Sequence, residues 1–276
     1  MAEPPISRSC PPKGCIHSPI ACFTRDKTRL VTSAITPSTK EEKVLLRNAP
    51  AGEQLAELKI KLSEARFWTA APAAAWFAIA EAKPYHKRLR VFDGIVGLER
   101  FISEFDEVVV CMAPSPDGQI LAAALTDPSR GTTKVVLLDA VSGERMATLP
   151  TQKKGCMALL FAADGHHLAV GFNGFVQVWD IRTRELEKSI TGFERTVTCL
   201  AYTSNGKLLA AGTQDGQVWI WSVASGKLVQ LIDVGSRGVR SIGFSPDGKR
   251  LVTVANNAPV GLWNVAEIPI ESTDVQ

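Results

Sequence analysis

Four stretches of the chain are near-copies of one another: "PSPDGQIL" (114–121), "FAADGHHL" (161–168), "YTSNGKLL" (202–209) and "FSPDGKRL" (244–251). Each is a polar turn closed by glycine, after which an apolar strand begins at once. The turn glycines Gly118, Gly165, Gly206 and Gly248 are separated by 47, 41 and 42 residues. A second landmark follows at a similar interval: "VLLDAVSG" (136–143), "VWDIRTR" (178–184), "IWSVASG" (220–226) and "LWNVAEI" (262–268). Its large residue is Leu138, Trp179, Trp221 and Trp263. Extended backwards, it finds Phe92 in "VFDGIVG" and Leu46 in "LLRNAPAG", and the six anchors step by 46, 46, 41, 42 and 42. Agreement of two independent landmarks on one period means a repeat architecture, in which each unit buries its apolar face against its neighbours. Six repeats, starting near Ile16, fill the 276 residues.

One repeat read in detail gives its internal structure. "RTVTCLAYT" (195–203) is a strand with apolar residues on both faces, and Asn205-Gly206 is a strong two-residue hairpin signal. "KLLAAGT" is a second strand, turned by Asp215-Gly216 into "QVWIWSV". Ser225-Gly226 leads to a fourth strand, "KLVQLIDV". Short antiparallel strands that are apolar on both faces must be sandwiched between two other sheets. A ring of similar sheets provides that and leaves few exposed edges. The expectation is an all-β propeller of four-stranded antiparallel blades, about 24 strands in six blades, with part of a seven-bladed ring as the alternative.

These residues resemble the WD-repeat β-propeller family, most clearly in "FAADGHHLAVGFNGFVQVWD" (161–180), "YTSNGKLLAAGTQDGQVWIWS" (202–222) and "FSPDGKRLVTV…VGLWN" (244–264). Trp179-Asp180 is the family's signature dipeptide in full. The likeness is strongest over 106–266. It implies that a mid-repeat aspartate, matched by Asp215, joins a Gly-His pair and the tryptophan in a buried hydrogen-bonded set. No repeat here has that pair, and Gly192-Phe193 is the nearest approach. The domain is read as 16–270, with an irregular segment at 1–15 and a tail at 271–276.

Little chemistry accompanies the scaffold. A formal charge of +3 is too small for nucleic acid or a membrane surface, which call for a clustered basic face. No apolar run approaches the roughly 20 residues that span a bilayer. "MAEPPISRSCPPKG" lacks the basic-then-apolar pattern of a signal peptide, so a cytoplasmic protein is expected. The six cysteines are read as reduced, because a chain this rich in core residues needs no disulfide framework. Cys111, Cys199 and Ser241 share one place in their repeats, where the first strand lines the axis and only small side chains fit. His166-His167 is read as an exposed turn pair. Neither a phosphate loop nor a nucleophile elbow nor an H-E-x-x-H motif occurs, and no catalytic, cofactor or metal residue is assigned.

What remains is surface. Links between second and third strands share one end of a propeller with the links into each first strand. The former are long in repeats one to three, "ITPSTKEEK" (35–43), "EAKPYHKRL" (81–89) and "LTDPSRGTTK" (125–134), and short in the others. Extra loop length is a hint of function. Lys83, Lys87, Arg88, Arg130, Lys153, Lys154, Arg195 and Arg237 map to that end, with Tyr85 and Phe193 as aromatic members. The expected function is a non-enzymatic scaffold that presents these loops to another protein or to another domain of a longer parent. The rivals are a lactonase-like propeller enzyme and a purely structural module.

Overall fold

The structure, a computed structural model, describes residues 21–23, 29–35, 42–48, 51–58, 65–71, 76–81, 87–94, 96–150, 155–235 and 238–266. The segment 1–15 and the tail 271–276 lie outside them. All regular elements among these residues are strands. The first sheet runs β1 (Ala21–Phe23), β2 (Arg29–Ile35), β3 (Glu42–Asn48), β4 (Gln54–Leu58), in that order. The second is β5 (Ala65–Ala71), β6 (Trp76–Glu81), β7 (Arg88–Asp93), β8 (Glu99–Glu104). The third is β9 (Val108–Pro114), β10 (Ile120–Asp127), β11 (Thr132–Asp139), β12 (Arg145–Leu149). All neighbours pair antiparallel, as tight hairpins dictate.

Blades four and five are joined. β13 (Ala158–Phe161), β14 (His167–Gly171), β15 (Asn173–Asp180), β16 (Glu185–Tyr202), β17 (Leu208–Thr213), β18 (Gln217–Ser222) and β19 (Leu228–Asp233) make one seven-stranded sheet. The cause is β16, 18 residues long, whose first half closes blade four against β15 while its second half opens blade five against β17. Gly192, at φ 113°, marks the change of direction, and no proline interrupts the strand. β20 (Val239–Phe244), β21 (Arg250–Ala255) and β22 (Gly261–Asn264) form the sixth sheet, three strands among the described residues. The architecture is therefore the expected all-β propeller type, with 22 strands described and one of them serving two blades.

The repeated turn has a repeated cause. Asp117 Oδ1 accepts the Gln119 amide at 3.0 Å, and the Ser115 hydroxyl accepts the Ile120 amide at 2.9 Å. Thr203 and Asn205 do the same for Leu208 and Lys207, and Ser245 and Asp247 for Arg250 and Lys249. The glycine that closes each turn sits near φ +70°, a left-handed conformation that side chains resist.

Blades stack through their first strands, β5 on β9, β9 on β13, β13 on β16 and β16 on β20. The fit is close because one partner is small. A Cβ on Gly171 would lie 2.7 Å from Val197 Cγ1 of the next blade, and one on Gly212 equally close to Val239 Cγ1. Cys111 and Cys199 pair across their sheets with Ala124 and Gly212, in these narrow places, both fully buried and unoxidised. Burial pushes the Cys199 thiol up to about 12. Trp76, Trp179 and Trp221 are core residues. Trp219 stacks on Trp221 at 6.2 Å. Trp263, in the last sheet, is only half-buried, and the Trp68 side chain lies outside the described residues.

Candidate functional site

The end of the molecule that carries the second-to-third links and the fourth-to-first links is tied together by backbone hydrogen bonds. The Phe105 amide donates to the Lys87 carbonyl at 2.8 Å, Val197 to Phe172 at 2.9 Å, and Gln214 to Thr196 at 2.9 Å. In the sixth sheet Asn256, in the β21–β22 link, donates to the Gly238 carbonyl at 3.1 Å. Each second-to-third link is thus tied to the chain entering or leaving a first or fourth strand beside it, and side chains on these links are presented from hydrogen-bonded backbone.

Of the ten candidate surface residues, Lys83, Tyr85, Lys153, Lys154 and Arg237 lie outside the described residues. Lys87 is exposed at the entry to β7. Arg88 is exposed but occupied: its guanidinium bonds Glu104 at 2.6 Å and approaches Glu81 at 3.7 Å. The bond to Glu104 raises its pKa. Arg195 is exposed on β16.

Arg130 is exposed at the tip of a hairpin. The long third-repeat link expected from "LTDPSRGTTK" is instead mostly strand: β10 and β11 run on to Asp127 and Thr132, leaving a four-residue tip. Gly131 at φ 62° donates its amide to the Asp127 carbonyl at 2.7 Å. The Asp127 carboxylate accepts the Ser129 hydroxyl at 2.6 Å and the Ser129 amide at 2.9 Å, and these bonds hold its pKa below the ordinary value. Thr126 and Thr133 share a hydroxyl bond at 2.9 Å just below the tip, and Lys134 pairs with Glu107. The Arg130 side chain, 82% exposed at this tip, has its Nε 3.6 Å from the Asp127 carboxylate, an exposed pair within the hairpin.

Phe193 corrects the sequence reading. It is 5% exposed, packed 5.6 Å from the Trp221 ring and 5.9 Å from Trp219. The sequence suggested a link there, but β16 continues through it, and strand alternation turns the ring inward. At the opposite, turn-bearing end, His166 is exposed while His167 is half-buried. The His167 Nδ1 meets Asp164 at 2.5 Å and its Nε2 meets Glu187 at 3.2 Å. Among the described residues no group of three or more His, Cys, Asp or Glu is placed to hold a metal ion.

The hydrogen-bonded set implied by the family resemblance is replaced. Asp215 is exposed and accepts the Thr213 hydroxyl. Trp263 Nε1 donates to Thr253 Oγ1 at 2.9 Å, and Trp76 Nε1 to the Gly118 carbonyl of the next blade at 2.7 Å. Trp179 Nε1 is buried without a partner among the described residues.

Comparison with known families adds the decisive observation. Residues 143–180 match the model of the WD domain, G-beta repeat, and residues 175–245 that of the anaphase-promoting complex subunit 4 WD40 domain. These are the stretches where turn, strand register and tryptophan repeat most regularly. The chain is a WD-repeat protein. Its relatives include periodic tryptophan protein 2 of Arabidopsis thaliana, 31% identical over 109 residues, which are 39% of this chain and 12% of that protein. WD repeat-containing protein 90 of Mus musculus is 32% identical over 78 residues, 28% of this chain and 4% of that protein. Protein ROOT INITIATION DEFECTIVE 3 of Arabidopsis thaliana is 38% identical over 48 residues, 17% of this chain and 11% of that protein. The matches therefore span only about an eighth or less of each of these three relatives. WD repeats generally mediate protein–protein interaction or scaffolding, and WD-repeat proteins are typically non-enzymatic. Among the described residues no helix is long and apolar enough to cross a membrane.

Proposed function

We propose that this WD-repeat protein is a non-enzymatic scaffold, cytoplasmic in location, whose linked end docks an acidic surface of another protein or of another domain of a longer parent. The observation that carries the reading is the Arg130 hairpin. An exposed cation is carried on a four-residue tip that makes three hydrogen bonds to the Asp127 carboxylate, an arrangement the blade core does not require. Lys87 and Arg195 stand on the same end, and Lys83, Tyr85, Lys153, Lys154 and Arg237 belong to its links by sequence. Phe193 has no part in it. Little ordering is needed on binding, because these links are already tied by backbone hydrogen bonds, and that favours affinity. Exposed cations of this kind act mainly on encounter rate.

Charge reversal tests the proposal. Lys87→Glu with Arg130→Glu slows association with a partner recovered by affinity purification, and flattens its salt dependence. Arg88 is left intact because its ion pairs belong to the blade. Unchanged association at low salt would move the interface off this end.

A further inference from the structure

Two asparagines stand directly before a glycine, in Asn173-Gly174 and Asn205-Gly206. Asparagine is a thermolabile residue, most of all before glycine, which has no side chain to keep its amide nitrogen away from the asparagine carboxamide. The structure holds the two pairs in different ways. Asn205-Gly206 lies in the repeated turn of blade five. Asn205 Oδ1 accepts the Lys207 amide at 3.0 Å and the Thr203 hydroxyl at 2.8 Å, and the Gly206 amide donates to the Thr203 carbonyl at 2.9 Å. Carboxamide and attacking nitrogen are both held there, and bringing them together breaks all three bonds.

Asn173-Gly174 lies on the linked end, between β14 and β15. The Asn173 side chain is exposed, and among the described residues it accepts the Thr196 hydroxyl at 3.4 Å, a length at which a hydrogen bond holds little. Gly174 has no cross-strand partner. The pairing of β15 with β14 stops at Val176, and its register with β16 passes from Asn173 directly to Phe175, as at a bulge. The glycine is itself required, since it sits at φ 85° and a Cβ there would lie 3.2 Å from the Phe193 carbonyl oxygen. The chain thus keeps an asparagine–glycine pair at a loosely paired place. An aspartate fits there too: counted back from the tryptophan, blade five carries Asp215-Gly216 at the same position.

We propose that Asn173 is a site of spontaneous deamidation in the folded chain, whereas Asn205 is protected by its turn. The Gly174 amide nitrogen gives up its proton to hydroxide and bonds to Asn173 Cγ. The carboxamide C–N bond breaks, and its nitrogen takes a proton from water and leaves as ammonia. Water then opens the cyclic imide at either carbonyl, giving aspartate or isoaspartate. Both products add a carboxylate to the linked end, across the strand from Thr196.

Peptide mapping by mass spectrometry tests this on the full chain, kept folded at mildly alkaline pH for weeks beside a sample in urea. In urea both asparagines gain the amide-to-acid mass at similar rates. In the folded chain Asn173 gains it at least about tenfold faster than Asn205, because more than one additional hydrogen bond must break at Asn205. Circular dichroism stays unchanged meanwhile, and Asn173→Gln abolishes the change at 173 without altering that at 205. A folded Asn173 that keeps its amide while the urea sample loses it overturns the proposal. So does a folded Asn205 that converts as fast as Asn173.

Discussion

Replacing Trp221 with alanine asks whether the inter-blade aromatic cluster holds the propeller together. The side chain is 3% exposed in the seam between blades four and five, against Phe193 at 5.6 Å and Trp219 at 6.2 Å. Burying a tryptophan removes about 200 Å² from water, and at about 25 cal/mol per Å² that is near 5 kcal/mol. The compactness of real unfolded chains and the retained Cβ reduce it, while each lost ring pair adds about 1 kcal/mol. The net expectation is about 3–5 kcal/mol, the usual loss for a large buried aromatic. At about 2–4 °C per kcal/mol for a domain of this size, the melting point falls by roughly 6–20 °C. Gln214, exposed in the short link between β17 and β18, is the control: its replacement by alanine changes stability by less than about 0.5 kcal/mol. Urea denaturation of both variants measures this. Equal midpoints would mean that the seam is not the core of the molecule.

Arg184 occupies φ 64°, where the equivalent turns carry Gly143 and Gly226, so Arg184→Gly is expected to stabilise by up to about 1 kcal/mol in thermal melts. Asp180 has its pKa lowered to about 2 by the Arg182 guanidinium, with backbone amides assisting. The unfolded chain binds that proton more tightly, so the contribution is full above the ordinary value of 3.8 and is lost as pH falls towards 2. Asp180→Asn should therefore flatten the fall in melting temperature over that window. The Cys199 thiol, buried and raised to about 12, should resist a thiol reagent in native protein and react once denatured, as mass spectrometry of the labelled peptides can follow.

The period was legible because its signals are local. Asp or Asn two residues after Ser or Thr, then glycine, dictates the turn wherever it occurs, and the strand after it must begin on phase. Trp219 beside Trp221 followed from strand alternation alone. Connections were harder to read. "LTDPSRGTTK" contains proline and glycine yet forms a long hairpin, because Thr126, Thr133 and Lys134 find partners across the strands and on Glu107. "ITGFERTV" contains a glycine yet remains strand, because two blades pull on its two halves. That difference took Phe193 from the surface into the seam. The ion pairs of Arg88 join residues 16 and 7 positions apart, a register that becomes visible only once the sheet is built. The exposure of Val252 and Leu262 in the sixth sheet could not be read from the sequence, since they are as apolar as the buried Ala210 and Ile220 at the same places in blade five.

The central claim, that the linked end is the docking surface, is tested most directly by quantitative affinity purification of three forms of the chain. These are the wild type, Lys87→Glu/Arg130→Glu/Arg195→Glu on the linked end, and Lys207→Glu/Lys249→Glu on the turn-bearing end. The account predicts that specific co-purifying proteins are depleted by the first variant and retained by the second. Retention by both variants, or depletion by the turn-end variant alone, would contradict it.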